Sequence, residues 1–232
     1  MIKQLEWDSE NFQLKIGEYI CPDDNSFDFN LVNSYAKDNG FDLVYIKSNS
    51  PIAVLDDSNI FCDQRVVYSK NVLNRNMPVI NNKQILSYKN GPLSEDIINL
   101  AINSGQFSRF NLDPKFSVNA FRTLYYNWIY NSINTDFAKD VLVYHDHDYP
   151  IGILTYDISS DVSTIGIIAV NEKYRGQHVG SSLLDYYYSV LPESIKKLRV
   201  VTQGINITAC KFYERNGYTV EEISYTYHLW VN

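Results

Sequence analysis

The chain has few cysteines and no pattern that would pair them. Three are present, Cys21, Cys62 and Cys210, and they are far apart and outside any C-x-x-C spacing. A disulfide framework or a thiolate zinc site normally shows an even number of cysteines or closely spaced pairs. The pattern therefore argues against both and favours a reducing compartment, so we expect a cytoplasmic protein.

The sequence also lacks positive net charge and long apolar runs. It carries 20 Lys and Arg against 27 Asp and Glu, a formal net charge of −7. General binding to nucleic acid or to anionic membranes needs a basic surface. The first residues, MIKQLEWDSENF, lack the apolar segment of a signal peptide, and no stretch approaches the length that spans a bilayer. We therefore expect a soluble protein with no nucleic-acid partner and no membrane insertion.

What remains is the composition of an ordinary globular protein, with 45% hydrophobic and 20% charged residues. The apolar pattern changes near residues 103–116, which predicts an α/β protein with a small unit over 1–103 and a second unit over 104–232. In the first unit, the pattern predicts a helix over 28–37 and strands over 41–48 and 64–70.

The second unit has the clearer periodicity. Apolar residues recur at helical spacing in some segments and alternate or run continuously in others. Its predicted elements are a helix over 117–133, strands over 140–144, 151–158 and 163–170, a helix over 179–190, a strand over 198–202, a helix over 207–216, and two short strands near Tyr218 and Tyr225.

The turn between the strand over 163–170 and the following helix has the composition of an anion-binding site. Glycines allow close approach of the backbone, the positive end of the helix dipole lies beneath, and an arginine adds fixed charge. Neither a Walker A loop nor a G-x-G-x-x-G fingerprint is present, which disfavours nucleotide hydrolysis and dinucleotide redox chemistry. The residues predicted to line the turn are Arg175, Gly176, Gln177, His178, Val179, Gly180 and Ser181.

This turn resembles the pyrophosphate-binding motif Q/R-x-x-G-x-G/A of the Gcn5-related N-acetyltransferase (GNAT) superfamily. Arg175 occupies the first position and Gly180 the last, whereas His178 replaces the usual middle glycine. Histidine tolerates unusual backbone angles better than bulky residues do. The resemblance implies the GNAT fold, a mixed central β-sheet flanked by helices, here preceded by a smaller N-terminal α/β domain that shapes the acceptor site. It also implies acetyl-CoA as the acyl donor and no metal.

A second segment, VTQGINITACKFYERNGYTV at 201–220, resembles the later N-x-x-A-x-x-x-Y-x-x-x-G-[FY] region of the same family. The resemblance implies that Tyr213 is the general acid that protonates the departing CoA sulfur. The alternative is that Tyr213 is only a packing aromatic. Further residues implied to contact the donor are Asn206, Ala209 and Phe212, together with Ile168, Ala169 and Val170 of the preceding strand, whose backbone amides would stabilise an oxyanion.

The base that deprotonates the amine is not assigned by either motif. Asp157 and Asp113 are the candidates considered, only because they lie near these segments in the sequence. His145 and His147 form an H-x-H pair, but they fall in a predicted hairpin turn beside aspartates, so we expect a solvated turn rather than a metal site.

The acceptor is suggested by the N-terminal run LEWDSENFQLKIGEY at 5–19. It looks like the W-D-S-x-x-F-G-x-x-I-G opening of the TDP-fucosamine acetyltransferase group, with Gln13 in place of the usual glycine. That group acetylates the amine of a TDP-4-amino-4,6-dideoxyhexose for surface polysaccharide. The resemblance makes Arg109 and Tyr126 candidate sugar-nucleotide contacts, and for Arg109 a plain surface charge is the alternative.

Two other functions stay open from the sequence. One is a GNAT enzyme for a different amine, such as a peptide N-terminus, an amino acid or a polyamine. The other is a CoA-binding domain without catalysis, against which the presence of Asn206 and Tyr213 argues. A homodimer is one expectation for the assembly, although the sequence does not define an oligomeric state.

Overall fold

The structure is a computed structural model that describes residues 1–22, 27–53, 60–72 and 82–231. Its strands are β1 (Lys3–Gln4), β2 (Ile16–Ile20), β3 (Leu43–Ser48), β4 (Phe61–Asn71), β5 (Ile85–Ser87), β6 (Asp140–Asp146), β7 (Tyr149–Ser159), β8 (Val162–Val170), β9 (Lys197–Gln203) and β10 (Thr219–Trp230). Its helices are α1 (Glu6–Phe12), α2 (Phe29–Asp38), α3 (Glu95–Ser104), α4 (Arg109–Leu112), α5 (Val118–Asn134), α6 (Val179–Val190) and α7 (Ile207–Arg215), with a short 3-10 helix at Glu172–Tyr174.

Several helices begin at a polar residue that caps the first free backbone amides. The Asp28 carboxylate accepts from two amides of the first turn of α2, Ser94 accepts from the amide of Ile97 in α3, and Ser117 accepts from that of Ala120 in α5. Each cap of this kind stabilises its helix by roughly 0.5–2 kcal/mol. The polar residues just before each apolar stripe therefore set where these helices start.

The described strands form one mixed sheet in the order β1-β2-β3-β10-β4-β9-β8-β7-β6-β5. The last strand, β10, lies between β3 and β4 and pairs antiparallel with both, and β4 pairs antiparallel with β9. Strands from residues 1–103 thus alternate in space with strands from the end of the chain. The sheet therefore contains strands from both predicted units, 1–103 and 104–232. The division into these two units stays a prediction.

Helices cover both faces of the sheet. On one face, Leu183 and Tyr187 of α6 pack with Tyr213 of α7 in a buried cluster. On the other face, Leu100 of α3 and Ile129 of α5 pack against β7 and β8 in a second cluster. Burying each such side chain contributes roughly 1.5–3 kcal/mol relative to leaving it exposed. The mixed α/β fold class expected from the sequence is confirmed.

The predicted elements of the second half agree closely with the structure, with two exceptions, of which one is the short helix α4, which the pattern did not predict. The helix at 179–190 has its predicted bounds, and strands β6 and β7 form the predicted hairpin. The prediction of two short strands near Tyr218 and Tyr225 is wrong, because a single strand, β10, runs from Thr219 to Trp230. A β-bulge between Val220 and Glu222 breaks the alternation of inward and outward side chains along β10. In the sequence, this break in the apolar pattern looks like the end of one strand and the start of another.

Among the described residues, every helix is too short or too polar to cross a bilayer.

Candidate active site

Strands β8 and β9 separate in the middle of the sheet. They pair in parallel from Val162 and Lys197 as far as Ile165 and Val200. Beyond that point the two strands no longer pair with each other: the rest of β8 pairs only with β7, and the rest of β9 pairs only with β4. The two strands therefore enclose a gap with an open backbone edge on each side.

The hydrogen bonds of neighbouring residues on β8 show which backbone amides face this gap. The amide of Ile167 donates to the hydroxyl of Thr155 on β7 at 2.9 Å, and the amide of Asn171 donates to the carbonyl of Ile151 at 2.8 Å. Successive amides of a strand point to opposite edges. Those of Ile168 and Val170 therefore point away from β7 into the gap, whereas the amide of Ala169 faces β7.

A β-bulge in β8 lies beside this edge. Gly166 and Ile167 together stand opposite Thr155, since Leu154 pairs with Ile168 and Tyr156 with Ile165. A Cβ atom added to Gly166 would lie 2.9 Å from the Thr155 hydroxyl oxygen, which is closer than side chains tolerate. The glycine and the threonine together fix the shape of the bulge.

The turn after β8 leads directly into the N-terminus of α6. Arg175, Gly176, Gln177 and His178 are exposed. Gly176 has φ 78°, and His178, the residue before α6, has φ 61° and ψ 6°, so both occupy the left-handed region. Histidine at the unusual position thus adopts the backbone that the motif's glycine would supply. The first amides of α6 lack partners within the helix and, with the helix dipole, favour an anion at this end.

Helix α7 packs against the start of α6 through an aromatic ring. A Cβ atom added to Gly180 would lie 3.2 Å from Cε2 of Phe212 and 3.6 Å from Cγ2 of Val170. The small residue lets Phe212 approach the helix start and the end of β8. The structure therefore brings together three predicted donor-site residues from three different elements.

Tyr213 lies on the inner side of α7 and is only 3% exposed. Its ring centroid is 5.7 Å from that of Tyr68 on β4 and 5.8 Å from that of Tyr218. Burial raises the pKa of the Tyr213 phenol well above its usual value, so the group stays protonated at neutral pH. Asn206 caps α7, because its side-chain oxygen accepts from the amide of Ala209 at 3.1 Å.

The two predicted sugar contacts lie in different surroundings. Arg109 begins α4, and its guanidinium lies 3.8 Å from the ring centroid of Tyr45 and 3.2 Å from Nε2 of His228. It is therefore part of a buried polar cluster rather than a plain surface charge. Tyr126 is 41% exposed and stacks on Tyr130, whereas the next residue toward the N-terminus, Tyr125, is buried.

Around Arg109 lies a polar cluster that the sequence did not reveal as a site. It consists of Asp8, Tyr45, Asp63, Arg109, Asp113 and His228, from elements α1, β3, β4, α4 and β10 and the residue after α4. The sequence feature that could have indicated this cluster is a charged or polar residue at an inward-facing position of a strand, as at Asp63 and His228. We refer to these six residues as the Arg109 cluster.

Neither candidate base has the surroundings of a free carboxylate in a cleft. Burial alone raises the pKa of Asp113, but hydrogen bonds from His228, the amide of Lys115 and Trp230 lower it below its usual value. Its oxygen lies 2.6 Å from Nδ1 of His228 and 2.9 Å from the indole nitrogen of Trp230. Asp157 is exposed on β7.

Of the H-x-H pair, only His147 lies in the β6–β7 turn, whereas His145 is a residue of strand β6 paired with Pro150. The His147 side chain is 90% exposed, and its Nδ1 lies 3.1 Å from the carboxylate of Asp146. The described residues contain no group of three or more His, Cys, Asp or Glu side chains placed to hold a metal ion.

Residues 138–220 match a family model described as an acetyltransferase (GNAT) domain. Among curated proteins, the chain is similar to the spore coat polysaccharide biosynthesis protein SpsD of Bacillus subtilis (strain 168). The identity is 31% over 140 residues, which are 59% of this chain and 47% of that protein. The chain thus aligns with about half the length of this relative.

Two examples of solved structures with a similar fold come from Staphylococcus epidermidis and Sphaerobacter thermophilus. A functionally unknown conserved protein from Staphylococcus epidermidis ATCC 12228 has a TM-score of 0.66 and 17% identity, over 97% of this chain and 89% of that one. A GCN5-related N-acetyltransferase from Sphaerobacter thermophilus has a TM-score of 0.53 and 10% identity, over 100% of this chain and 76% of that one.

Proposed function

We propose that this chain, whose residues 138–220 match a GNAT acetyltransferase domain model, transfers an acetyl group from acetyl-CoA to a primary amine. The observation that carries this proposal is the gap between β8 and β9, which opens where β8 leads into the anion-binding turn before α6. A donor with an extended arm and a pyrophosphate fits such a gap with a helix N-terminus at its end.

In this proposal the chain holds the donor through its backbone. The amides of Ile168 and Val170 face the gap, where they bind the donor and hold the negative charge that develops on the carbonyl oxygen. The left-handed His178 and the first amides of α6 bind the pyrophosphate, and Arg175 adds a positive charge. The donor supplies the activated acetyl group and requires no metal.

Tyr213 is the proposed proton donor to the departing sulfur. Its raised pKa keeps the phenol protonated at neutral pH. A buried phenol also holds its proton away from bulk water until a base forms beside it. Asn206 supports this role indirectly, because it fixes the first turn of the helix that carries Tyr213.

The proposed acceptor is the amine of a nucleotide-linked 4-amino-4,6-dideoxyhexose. Two observations support it: the N-terminal run at 5–19, and similarity to a relative named for spore coat polysaccharide biosynthesis. Within that run, Gln13 has φ 55° and ends α1, so it occupies the left-handed backbone for which the group's glycine is suited. A different amine is the second candidate acceptor.

The test is to incubate purified protein with acetyl-CoA and a panel of TDP-amino sugars, amino acids, polyamines and peptides while free thiol is followed. We expect thiol release above background with a TDP-4-amino-4,6-dideoxyhexose. Release with another amine alone would contradict the sugar acceptor, and release with none would contradict the proposed transfer.

Replacing the proposed acid gives a sharper check on the mechanism. We expect Tyr213→Phe to lower kcat about 100-fold or more while the Kd for CoA, measured by titration calorimetry, stays within a few fold. Tyr218→Phe is the matched control, because it removes a neighbouring buried hydroxyl and should retain activity. Equal rates in the two variants would contradict the role of Tyr213.

A further inference from the structure

The Arg109 cluster has more negative than positive charge. Asp8 and Asp63 both interact electrostatically with the Arg109 guanidinium, whereas Asp113 joins the cluster through His228. Lys47 also acts on Asp8 and Arg65 on Asp63, but each of these two cations already forms an ion pair with a glutamate. His228 does not compensate, because burial lowers its pKa to about 4 and leaves it neutral at pH 7. Buried charge without a counterion is costly, so this arrangement favours a cation from outside the chain.

The hydrogen bonds and ion pairs of the three carboxylates show which of them can accept a further partner. Asp113 is held by His228 and Trp230. Asp8 lies 3.9 Å from the guanidinium, and its side chain is 17% exposed. Asp63 is 6% exposed, and burial raises its pKa to about 6 although Arg109 and Arg65 oppose that rise. Asp8 and Asp63 are therefore the two carboxylates with capacity for a further partner.

One hydroxyl group in the same place is buried without a close hydrogen-bond partner. The phenol oxygen of Tyr45, on a side chain that is fully buried, makes no close hydrogen bond. Burial raises the pKa of this phenol most, and Asp8 and Arg109 also act on it as longer hydrogen-bond partners, so the hydroxyl points into the cluster. Buried polar groups are nearly always closely paired, so a buried phenol with only such longer partners has hydrogen-bonding capacity for a ligand.

The cluster is connected to the gap between β8 and β9. Asp63 lies on β4 two residues before Arg65, which pairs with Gln203 at the end of β9. Burial raises the pKa of Tyr125 on α5, and the charge of Asp63 adds to that rise, so Asp63 acts on a side chain of α5. The Tyr125 ring stacks on Trp128 at 5.8 Å, and the Trp128 indole nitrogen lies 3.5 Å from the Cβ position of Gly166 in β8.

We propose that Asp8 and Asp63 bind the ammonium group of the acyl acceptor, with the Tyr45 hydroxyl as an additional hydrogen-bond partner and Arg109 as the fixed charge that keeps both carboxylates ionised. The ligand class is a primary alkylammonium. This inference rests on the proposed function, since it deepens the same site, but its geometry comes from residues outside the two CoA motifs.

The test compares an amine with an alcohol of the same shape. Titration calorimetry gives the Kd of TDP-4-amino-4,6-dideoxygalactose and of its 4-hydroxyl analogue, TDP-6-deoxygalactose, for the wild type, Asp63→Asn and Asp8→Asn. Propylamine and propanol, followed by thermal shift, form a second pair without a nucleotide. Asp161→Asn, which removes a carboxylate from a surface ion pair with Lys196, is the matched control.

We expect the wild type and Asp161→Asn to bind the amine more tightly than the alcohol, and Asp63→Asn to lose about 10-fold to 100-fold in amine affinity only. An unchanged preference in a folded Asp63→Asn protein would overturn the inference. So would the absence of an amine preference in the wild type for both pairs. These titrations measure binding and need no turnover. A failure of the proposed acetyl transfer would instead appear in the Kd for CoA or in thiol release, so the two failures can be told apart.

Discussion

At the scale of single residues, His178 is one of the positions where a non-glycine side chain is combined with left-handed backbone angles. Its φ of 61° and ψ of 6° place a non-glycine residue in the left-handed region immediately before α6. The sequence identified the position as unusual, because a glycine is typical there in the motif it resembles. The backbone angles show that histidine adopts the left-handed conformation here, as its tolerance of unusual angles allows.

We therefore expect His178→Gly to keep or raise thermal stability and to keep CoA affinity. His178→Val should lower the free energy of unfolding by about 1–2 kcal/mol, because a β-branched residue is poorly suited to left-handed angles. Urea unfolding and calorimetric titration with CoA measure the two effects. A valine variant as stable as the glycine variant would contradict the assigned backbone.

Two buried titratable residues of the Arg109 cluster make opposite contributions to acid stability. Burial lowers the pKa of His228 to about 4, so the unfolded chain takes up a proton first and stability falls as pH drops from about 6.5 to 4. Burial raises the pKa of Asp63 to about 6, so the folded chain takes up a proton first and stability rises over about pH 6 to 4.

It follows that the two contributions partly offset each other in the wild type. In Asp63→Asn the offset is lost, and we expect the urea midpoint to fall more steeply between about pH 6.5 and 4.5 than in the wild type or Asp161→Asn. Parallel pH profiles for the three proteins would show that Asp63 does not titrate in this range.

At the scale of elements, the bulge in β8 controls which amides face the gap. The hydroxyl of Thr155 accepts from the buried amide of Ile167, and this bond aligns the residues that follow. We expect Thr155→Val to lower the free energy of unfolding by about 1–3 kcal/mol, because the amide loses its partner, and to lower kcat as well. Thr155→Ser keeps the oxygen and should retain kcat, so a serine variant as impaired as the valine variant would contradict the role of the hydroxyl.

Local elements could be predicted from the sequence where a strong pattern coincided with clear boundaries. Helix α6 is bounded by the turn before Val179 and by the break after Val190, and its predicted range is confirmed. Helix α1 was missed because seven residues, Glu6–Phe12, are too few for a periodic signal. The Arg109 cluster was missed because it joins residues as distant as Asp8 and His228, which share no sequence pattern.

At the scale of the whole molecule, the C-terminal strand links the two halves of the sequence. Strand β10 fills the space between β3 and β4, so both of its edges are paired by residues of the first half. This topology could not be predicted, because long-range strand pairing has no local signal. The order of predicted elements alone therefore indicated two units, whereas their strands share one sheet.

We expect urea unfolding of the full chain to show one cooperative transition, with coincident midpoints for circular dichroism and tryptophan fluorescence. A fragment of residues 104–232 should be insoluble or lack a cooperative transition, since β9 and β10 would lose their β4 partner and expose unpaired edges. Two separated transitions in the full chain would contradict this coupling.

A crystal structure of the protein with CoA would show whether the gap between β8 and β9 holds the donor. We expect the pantetheine arm between the two strands, hydrogen-bonded to the amides of Ile168 and Val170, with the pyrophosphate at the start of α6 and the sulfur beside Tyr213. CoA bound elsewhere, or a sulfur separated from the Tyr213 hydroxyl by intact packing, would contradict this expectation.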